Sequence, residues 1–380
     1  MTDLAVPLFD VRLSDRDVAA VEEALRSGWL TMGPRTERFE RAFADSLGVR
    51  HGVATSSCTA ALHLAYLAAG VGPGDEVIVP AITFVATAAA ARYCGARAVI
   101  ADVVGTSDLG VDPADVEERF SERTKAVCAV HYGGYAAAID VLRELCERRG
   151  AALIEDAAHC PSATAAGGGR KLGTHGLAGA FSFFSNKVLS CGEGGLLATD
   201  DDDVARLARG RRSHAMTSTT WDRHRGHSLG YDVTELGFNY RLDEPRAALL
   251  LSRLEGLEQD IATRRRLTHR YRARLAGLAD VTVPYDDRDV DVSSCYVMPI
   301  VLGERIDRDR VRTGMLERHG VQTSVLYPAL HEFTAYAAAG TRLPRAEAVA
   351  RRQLTLPLFA HMTDDQQDLV VTALREALQR

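Results

Sequence analysis

The sequence has no apolar run that reaches the about 18 residues a membrane helix needs. Its Ala-rich stretch near 84–91 is short and is followed by Arg92, so it reads as a buried helix. It has no CxxC pair. The seven cysteines, at 58, 94, 128, 146, 160, 191 and 295, are scattered, and several lie in apolar surroundings where free cysteine is an ordinary core residue. Their odd number argues against a disulfide framework, and no metal-ligand spacing is visible, so no metal is expected. Positive charge is not in excess: 45 Lys and Arg against 51 Asp and Glu leave a formal net charge of -6. Nothing therefore calls for a nucleic acid or another polyanion as partner. The arginine groups at 209, 211 and 212 and at 264–266 read as solvated helix faces. Signal peptide, internal repeat and low-complexity linker are all missing, and the expectation is a soluble cytoplasmic protein.

What is present is an α/β pattern. At 380 residues the chain exceeds one small core, and two packed domains sharing a cleft are expected. Short runs rich in Val, Ile and Ala fall at 53–56, 76–80, 98–103, 125–131, 152–156, 180–184 and 195–199, with helical stretches such as 59–69 and 139–149 between several of them. Near-continuous apolar strands separated by helices describe a sheet covered on both faces, hence a mostly parallel seven-stranded sheet. After about residue 245 the texture changes. Residues 245–276 read as one long amphipathic helix, with Leu249, Leu250, Leu254, Leu257 and Ile261 at helical spacing and Gly277 placed to stop it. A strand at 296–301, a helix at 308–319 and a final helix from Asp364 complete a smaller α/β domain. The expected division is thus 1–245 and 246–380. The segment 14–27 is a further amphipathic helix stopped by Gly28, and the packing of residues 1 to about 30 is left open.

Three short segments carry the chemistry. The first, SSCTAALHLA (56–65), places Ser57, Cys58 and Thr59 where a strand ends and a helix begins; free amides and the positive helix end there favour a phosphate, although a Ser or Thr before a helix is commonly only an N-cap. The second, EDAAH (155–159), ends an apolar strand. Asp156 shares the side of Ile154, and a buried carboxylate calls for a cationic partner such as a protonated pyridine nitrogen. The third is SFFSNKVLSCGEGG (182–195). A lysine in an apolar segment directly after a buried strand, Lys187, loses its proton readily, as imine formation requires; Ser182 is placed to donate to the same phosphate. Together with an aromatic after a strand (Phe84), these segments supply a phosphate anchor, a ring to stack on, a counter-ion for a ring nitrogen and an imine lysine. That is the set pyridoxal 5'-phosphate requires.

With these segments the chain resembles the DegT/DnrJ/EryC1 group of pyridoxal-phosphate-dependent sugar aminotransferases, within the fold-type I aminotransferases. The resemblance runs from about Pro7 to the C-terminus and includes SGWLTMGPRTERFE (27–40), GDEVIVPAITFVAT (74–87) and GFNYRLDEPRAALLLSRLE (237–255). It implies that Lys187 forms the imine, that Asp156 pairs with the pyridine nitrogen and that Phe84 stacks on the ring. The phosphate would be held by the Cys58 and Thr59 amides with Ser182, joined by Asn239 from the neighbouring subunit of a homodimer with shared active sites. His159 would lie near the cofactor's 3'-oxygen, where the family often has Gln, and Cys58 replaces the usual Gly or Ala.

The reaction implied is a ping-pong transamination. L-glutamate leaves as 2-oxoglutarate, pyridoxamine 5'-phosphate remains as the intermediate carrier, and a ketone is then aminated. HYGGY (131–135) resembles the branch acting at C4 of nucleotide-linked 4-keto-6-deoxy sugars. Arg223, Arg225, Arg241 and His331 are the candidate contacts for the nucleotide diphosphate. The alternatives are a C3-keto sugar or a keto-cyclitol of inosose type. Lysine-free members of the family act as sugar dehydratases or sensors, and the presence of Lys187 argues against both.

Overall fold

The computed structural model describes residues 4–379 apart from 166, 219–220, 222–223, 225, 227–229 and 338–340. Arg223 and Arg225 lie outside the described residues. Each of the seven apolar runs forms a strand: β1 (His51–Thr55), β2 (Glu76–Pro80), β3 (Arg97–Ala101), β4 (Thr124–Val130), β5 (Ala152–Asp156), β6 (Ala178–Ser182) and β7 (Gly195–Thr199). They build one sheet in the order β1-β7-β6-β5-β4-β2-β3. β6-β5-β4-β2-β3 are parallel, and β7 runs antiparallel to both neighbours. β2 and β7 are buried along their whole length, as a sheet covered by helices on both faces requires.

The Ala-rich segment forms the helix Ala86–Tyr93, with Ala88, Ala90 and Ala91 buried. Three Phe rings, Phe39 and Phe43 from the helix Pro34–Leu47 and Phe183 after β6, pack edge to face with centroids 5.2 and 5.3 Å apart and lock that helix onto the sheet. The N-terminal helix is Asp15–Arg26, opened by a capping box of Ser14 and Asp17 and followed by Gly28 at φ +72. It packs along the helix Glu244–Leu254, where Ser252 Oγ donates to Asp17 at 2.7 Å and Arg16 pairs with Glu255.

The single helix expected over 245–276 is two, Glu244–Leu254 and Leu257–Leu275, parted at Glu255–Gly256. A glycine costs about 1 kcal/mol against alanine inside a helix. The two segments also serve different cores: Ala247, Leu250, Leu257 and Ile261 pack with the large sheet, whereas Leu267, Tyr271 and Leu275 pack with the smaller one. The periodic leucines run straight through the break because both segments bury a stripe there. The smaller sheet is antiparallel, in the order β10 (Gln353–Leu356), β9 (Met298–Leu302), β8 (Val281–Thr282), and is covered by the helices Arg308–His319 and Asp364–Leu378.

Not all of the arginines read as solvated are so. Arg212 is buried, with its guanidinium on Glu40 and on the Ala54 carbonyl at 2.7 Å. Arg264 is buried as well, donating to the carbonyls of Tyr296 at 3.3 Å and Leu358 at 3.2 Å. All seven cysteines are buried and free. No described helix is long and apolar enough to cross a membrane.

Candidate active site

β5 is the middle strand of the sheet, and the site lies beyond its C-terminal end. There a cavity of about 380 Å³ is lined by Ser57, Cys58, Thr59, Phe84, Asp156, His159, Ser182 and Lys187. These residues come from four separate stretches of chain, and they meet because parallel strands deliver their following loops to one edge.

Ser57 caps the helix Cys58–Ala68, accepting from the Ala60 amide at 3.2 Å. The first bond of that helix runs from the Ala61 amide to the Ser57 carbonyl at 3.1 Å, so the Cys58 and Thr59 amides precede the intrahelical ladder and are donors for an anion. Gly195, the first residue of β7, backs this turn. A Cβ placed there would lie 2.3 Å from the Ser57 carbonyl carbon and 2.5 Å from the Cys58 nitrogen. Ser182 lies at the end of β6, where its Oγ accepts from the Phe184 amide at 3.4 Å.

Asp156 is buried at the end of β5. Its Oδ2 accepts from Thr87 Oγ1 at 2.7 Å and its Oδ1 from the Ala158 amide at 3.2 Å. Burial raises its pKa, and the hydrogen bonds from Thr87 and Ala158, with Lys187 and His131 nearby, only partly offset this. Such a carboxylate is stabilised by a cation brought against it.

Lys187 stands on the loop between β6 and β7, its amide donating to Phe184 at 2.9 Å. The residue is half-buried, and its ammonium lies 4.3 Å from the centre of the Tyr296 ring. Burial brings its pKa down to about 8, against the opposing pull of Cys58, Asp156 and Cys160. The free, nucleophilic amine is therefore far more populated near neutral pH than in an ordinary lysine.

His159 is buried, and its Nδ1 accepts from the Gly133 amide at 3.0 Å, while its Nε2 lies 3.3 Å from the Tyr327 hydroxyl. Burial, with Lys187 and His131 nearby, holds its pKa well below the usual value, so the ring is neutral. Phe84 lines the cavity with 54% of its surface exposed, its ring 5.8 Å from Tyr327.

Thr87, Tyr296 and Tyr327 were not legible in the sequence. For Thr87 the one available signal was its place three residues after Phe84 in the same segment; its bond to Thr83, at 2.9 Å, is visible only in the structure. Tyr296 and Tyr327 arrive from the far side of the cleft, more than 100 residues after Lys187, and no local pattern marks them. The remaining expected residues are not gathered here. Asn239 is exposed and bridges to Ser213, while the next residue, Tyr240, accepts from the Ser56 amide at 2.8 Å. His331 is buried 3.6 Å from Glu347. Arg241 is half-buried, and burial with Arg212 nearby lowers its pKa. None of the three lines the cavity.

The whole span of residues 12–375 matches the DegT/DnrJ/EryC1/StrS aminotransferase family. The chain belongs to that family. This aminotransferase is 34% identical over 371 residues to the spore coat polysaccharide biosynthesis protein SpsC of Bacillus subtilis, covering 96% of its own length and 95% of that protein. Among solved structures it is similar to the aminotransferase TlmJ from Streptoalloteichus hindustanus, with 34% identity, 98% and 99% of the two chains covered and a TM-score of 0.90. It is also similar to NtdA from Bacillus subtilis with bound cofactor PMP, with 28% identity, 97% and 83% covered and a TM-score of 0.86. Pyridoxal phosphate is the cofactor of this family, and the cavity fits it. A buried carboxylate asks for a cation, a helix start offers amides backed by a glycine that admits no Cβ, and a lysine of lowered pKa lines the same cavity.

Proposed function

We propose that this aminotransferase uses pyridoxal phosphate to aminate C4 of a nucleotide-diphosphate 4-keto-6-deoxy sugar, with L-glutamate as the amino donor. One observation carries the reading: Asp156 and Lys187 line the same cavity beside a helix start able to hold a phosphate. The sugar side of the proposal is supported by the family, by the HYGGY turn and by likeness to a polysaccharide biosynthesis protein.

Lys187 would hold the cofactor as an imine. The amides of Cys58 and Thr59, with the hydroxyls of Ser57, Thr59 and Ser182, would hold its phosphate; Phe84 would cover one ring face, and His159 would face the ring's oxygen. When bound, the cofactor supplies a ring that draws electron density away from the carbon carrying the amino group. Asp156 keeps the proton on the ring nitrogen, and Thr87 fixes the direction of that carboxylate. Once the donor's amine displaces it, Lys187 Nζ takes the proton from the donor's α-carbon and, with its pKa near 8, is suited both to accept and to return it. Tyr296, 4.3 Å from the amine, limits where it swings and shields it from water.

The test is a panel of nucleotide-linked keto sugars, including C3-keto forms, and keto-cyclitols. Each is incubated with glutamate and the holoenzyme and read by mass spectrometry for replacement of oxygen by an amino group. Amination of a 4-keto sugar supports the proposal; turnover confined to C3-keto sugars or to cyclitols overturns it.

A further inference from the structure

The HYGGY turn, His131–Tyr135, carries the sequence signal for the position of amination, yet none of its five residues lines the cavity. What holds the turn is a fully buried pair. His131 Nε2 lies 2.9 Å from Glu155 Oε2. His131 Nδ1 accepts from the Ala137 amide at 3.1 Å, so the ring carries its proton on Nε2 and donates it to Glu155. Glu155 also accepts from the amides of Gly173 at 2.7 Å, His175 at 2.6 Å and Gly176 at 2.8 Å. Burial alone would raise its pKa; the bonds from His131 and the two glycine amides outweigh it and hold the carboxyl below its usual range. As neighbours on β5, Glu155 and Asp156 leave the strand on opposite faces. Asp156 serves the cavity, and Glu155 anchors what lies behind it.

From that anchor the turn reaches two residues that do line the cavity. The Gly133 amide donates to His159 Nδ1 at 3.0 Å, and the Gly133 carbonyl accepts from the Tyr296 amide at 2.9 Å. Gly133 and Gly134 have φ of +68 and +97, and a Cβ on Gly134 would lie 3.1 Å from the Cys295 nitrogen and 3.2 Å from the His159 oxygen, so both positions favour glycine. Tyr135 stacks on Tyr285 with centroids 4.1 Å apart, and the Tyr132 hydroxyl donates to the Leu326 carbonyl, next to Tyr327. The turn is thus tied to the strand segment that carries Tyr296 and to the loop that carries Tyr327.

We propose that this turn is a positioning device. The Glu155–His131 pair holds it, and its Gly133 amide fixes His159 as the tautomer with its proton on Nε2, so the cavity meets a hydrogen-bond donor at that place. A nitrogen that already accepts a backbone N–H cannot carry the proton of a neutral ring, and the other nitrogen must. That Nε2–H faces the Tyr327 hydroxyl oxygen at 3.3 Å, and an oxygen acceptor on a ligand would share it or take it over. The proposed function enters only in naming that acceptor as the cofactor's ring oxygen; the tautomer belongs to the chain itself.

The experiment reads ring nitrogens rather than turnover. Protein labelled with 15N-histidine is measured by long-range proton–nitrogen correlation at neutral pH, cofactor-free and loaded, with His159 assigned by the loss of its signals in His159→Gln. A neutral His159 with its proton on Nε2 is expected in both forms of the wild type. Gly133→Ala and Glu155→Gln are expected to give a mixture of the two tautomers, while Gly314→Ala, on the helix Arg308–His319 where a Cβ meets nothing nearer than Ala377 at 3.7 Å, leaves His159 as in the wild type. A wild-type His159 protonated on Nδ1, or on both nitrogens, overturns the proposal, and that reading needs only the assignment variant His159→Gln to fold, not the turn variants. An unmixed tautomer in both turn variants overturns it as well. Failure of the sugar panel would leave these results unchanged, so the two readings fail separately.

Discussion

At the scale of single residues, the site rests on one amine and one carboxylate whose surroundings work against their charged forms. The chain has three lysines, Lys125, Lys171 and Lys187, and Lys171 is engaged with Ser162 Oγ at 2.7 Å. Borohydride reduction of the loaded enzyme followed by peptide mapping is therefore expected to mark Lys187, and Lys187→Ala to abolish transamination; a mark on Lys171 would refute the assignment. The lowered pKa has a consequence for stability. In the unfolded chain Lys187 keeps its proton up to its ordinary value of 10.5, whereas the folded chain releases it near 8. Between these values the unfolded state binds more protons, so stability rises with pH across that window. Denaturant titrations of cofactor-free protein should show this rise relative to Lys187→Met. For Asp156→Asn the imine is expected to persist, while the rate falls by ~10³ or more, the loss of several kcal/mol of transition-state stabilisation. A variant that keeps about half the wild-type rate would mean that the ring nitrogen lies elsewhere.

At the scale of elements, the turn proposed to hold the phosphate, Ser57–Thr59, depends on a contact between strands. β1 feeds the turn, and β7, antiparallel to β1, passes beneath it at Gly195. Gly195→Ala puts a methyl group 2.3 Å from the backbone of Ser57, so either the turn or β7 has to move. We expect a stability loss of about 1–3 kcal/mol, the usual cost of overpacking, and a weaker hold on the cofactor's phosphate, read as a raised Kd for pyridoxal phosphate in a fluorescence titration. Unchanged affinity would separate β7 from the phosphate site. The locations of the strands and of this turn were legible because near-continuous apolar runs and a Ser-rich strand end are local features. The break at Gly256 was not legible from periodicity, since the leucine stripe is common to both helices.

At the scale of the whole molecule, the placement of Asn239 bears on assembly. Its side chain is exposed on a segment tied to the chain's own phosphate turn through Tyr240, and it does not line its own cavity. Phe84, at 54% exposure, also leaves a large apolar surface at the cavity. We propose a two-fold homodimer in which each Asn239 reaches the phosphate site of the other subunit. Mixing inactive Lys187→Ala with inactive Asn239→Ala then gives mixed dimers with one doubly defective site and one intact site. After subunit exchange, activity should recover to about a quarter of wild type, because half the dimers are mixed and half their sites are whole. No recovery, with exchange verified by mass spectrometry of tagged chains, would show that Asn239 serves its own subunit.

The amino-acid sequence by itself determined the seven strands and the large α/β architecture, and it picked out the lysine, the aspartate and the helix start that line one cavity, because each is written in neighbouring residues: an apolar run, the polar residue that ends it, the helix that follows. Only the tertiary structure decided which residues complete the site. Thr87 reaches Asp156 across 69 residues of chain, and Tyr296 meets Lys187 from beyond the cleft. It also decided that Arg212 and Arg264 are buried against carbonyls and, for Arg212, Glu40, while nearby arginines such as Arg266 stay at the surface. Such pairings join residues far apart in sequence, and the periodicity of one helix or strand carries no record of which distant side chain will lie against it.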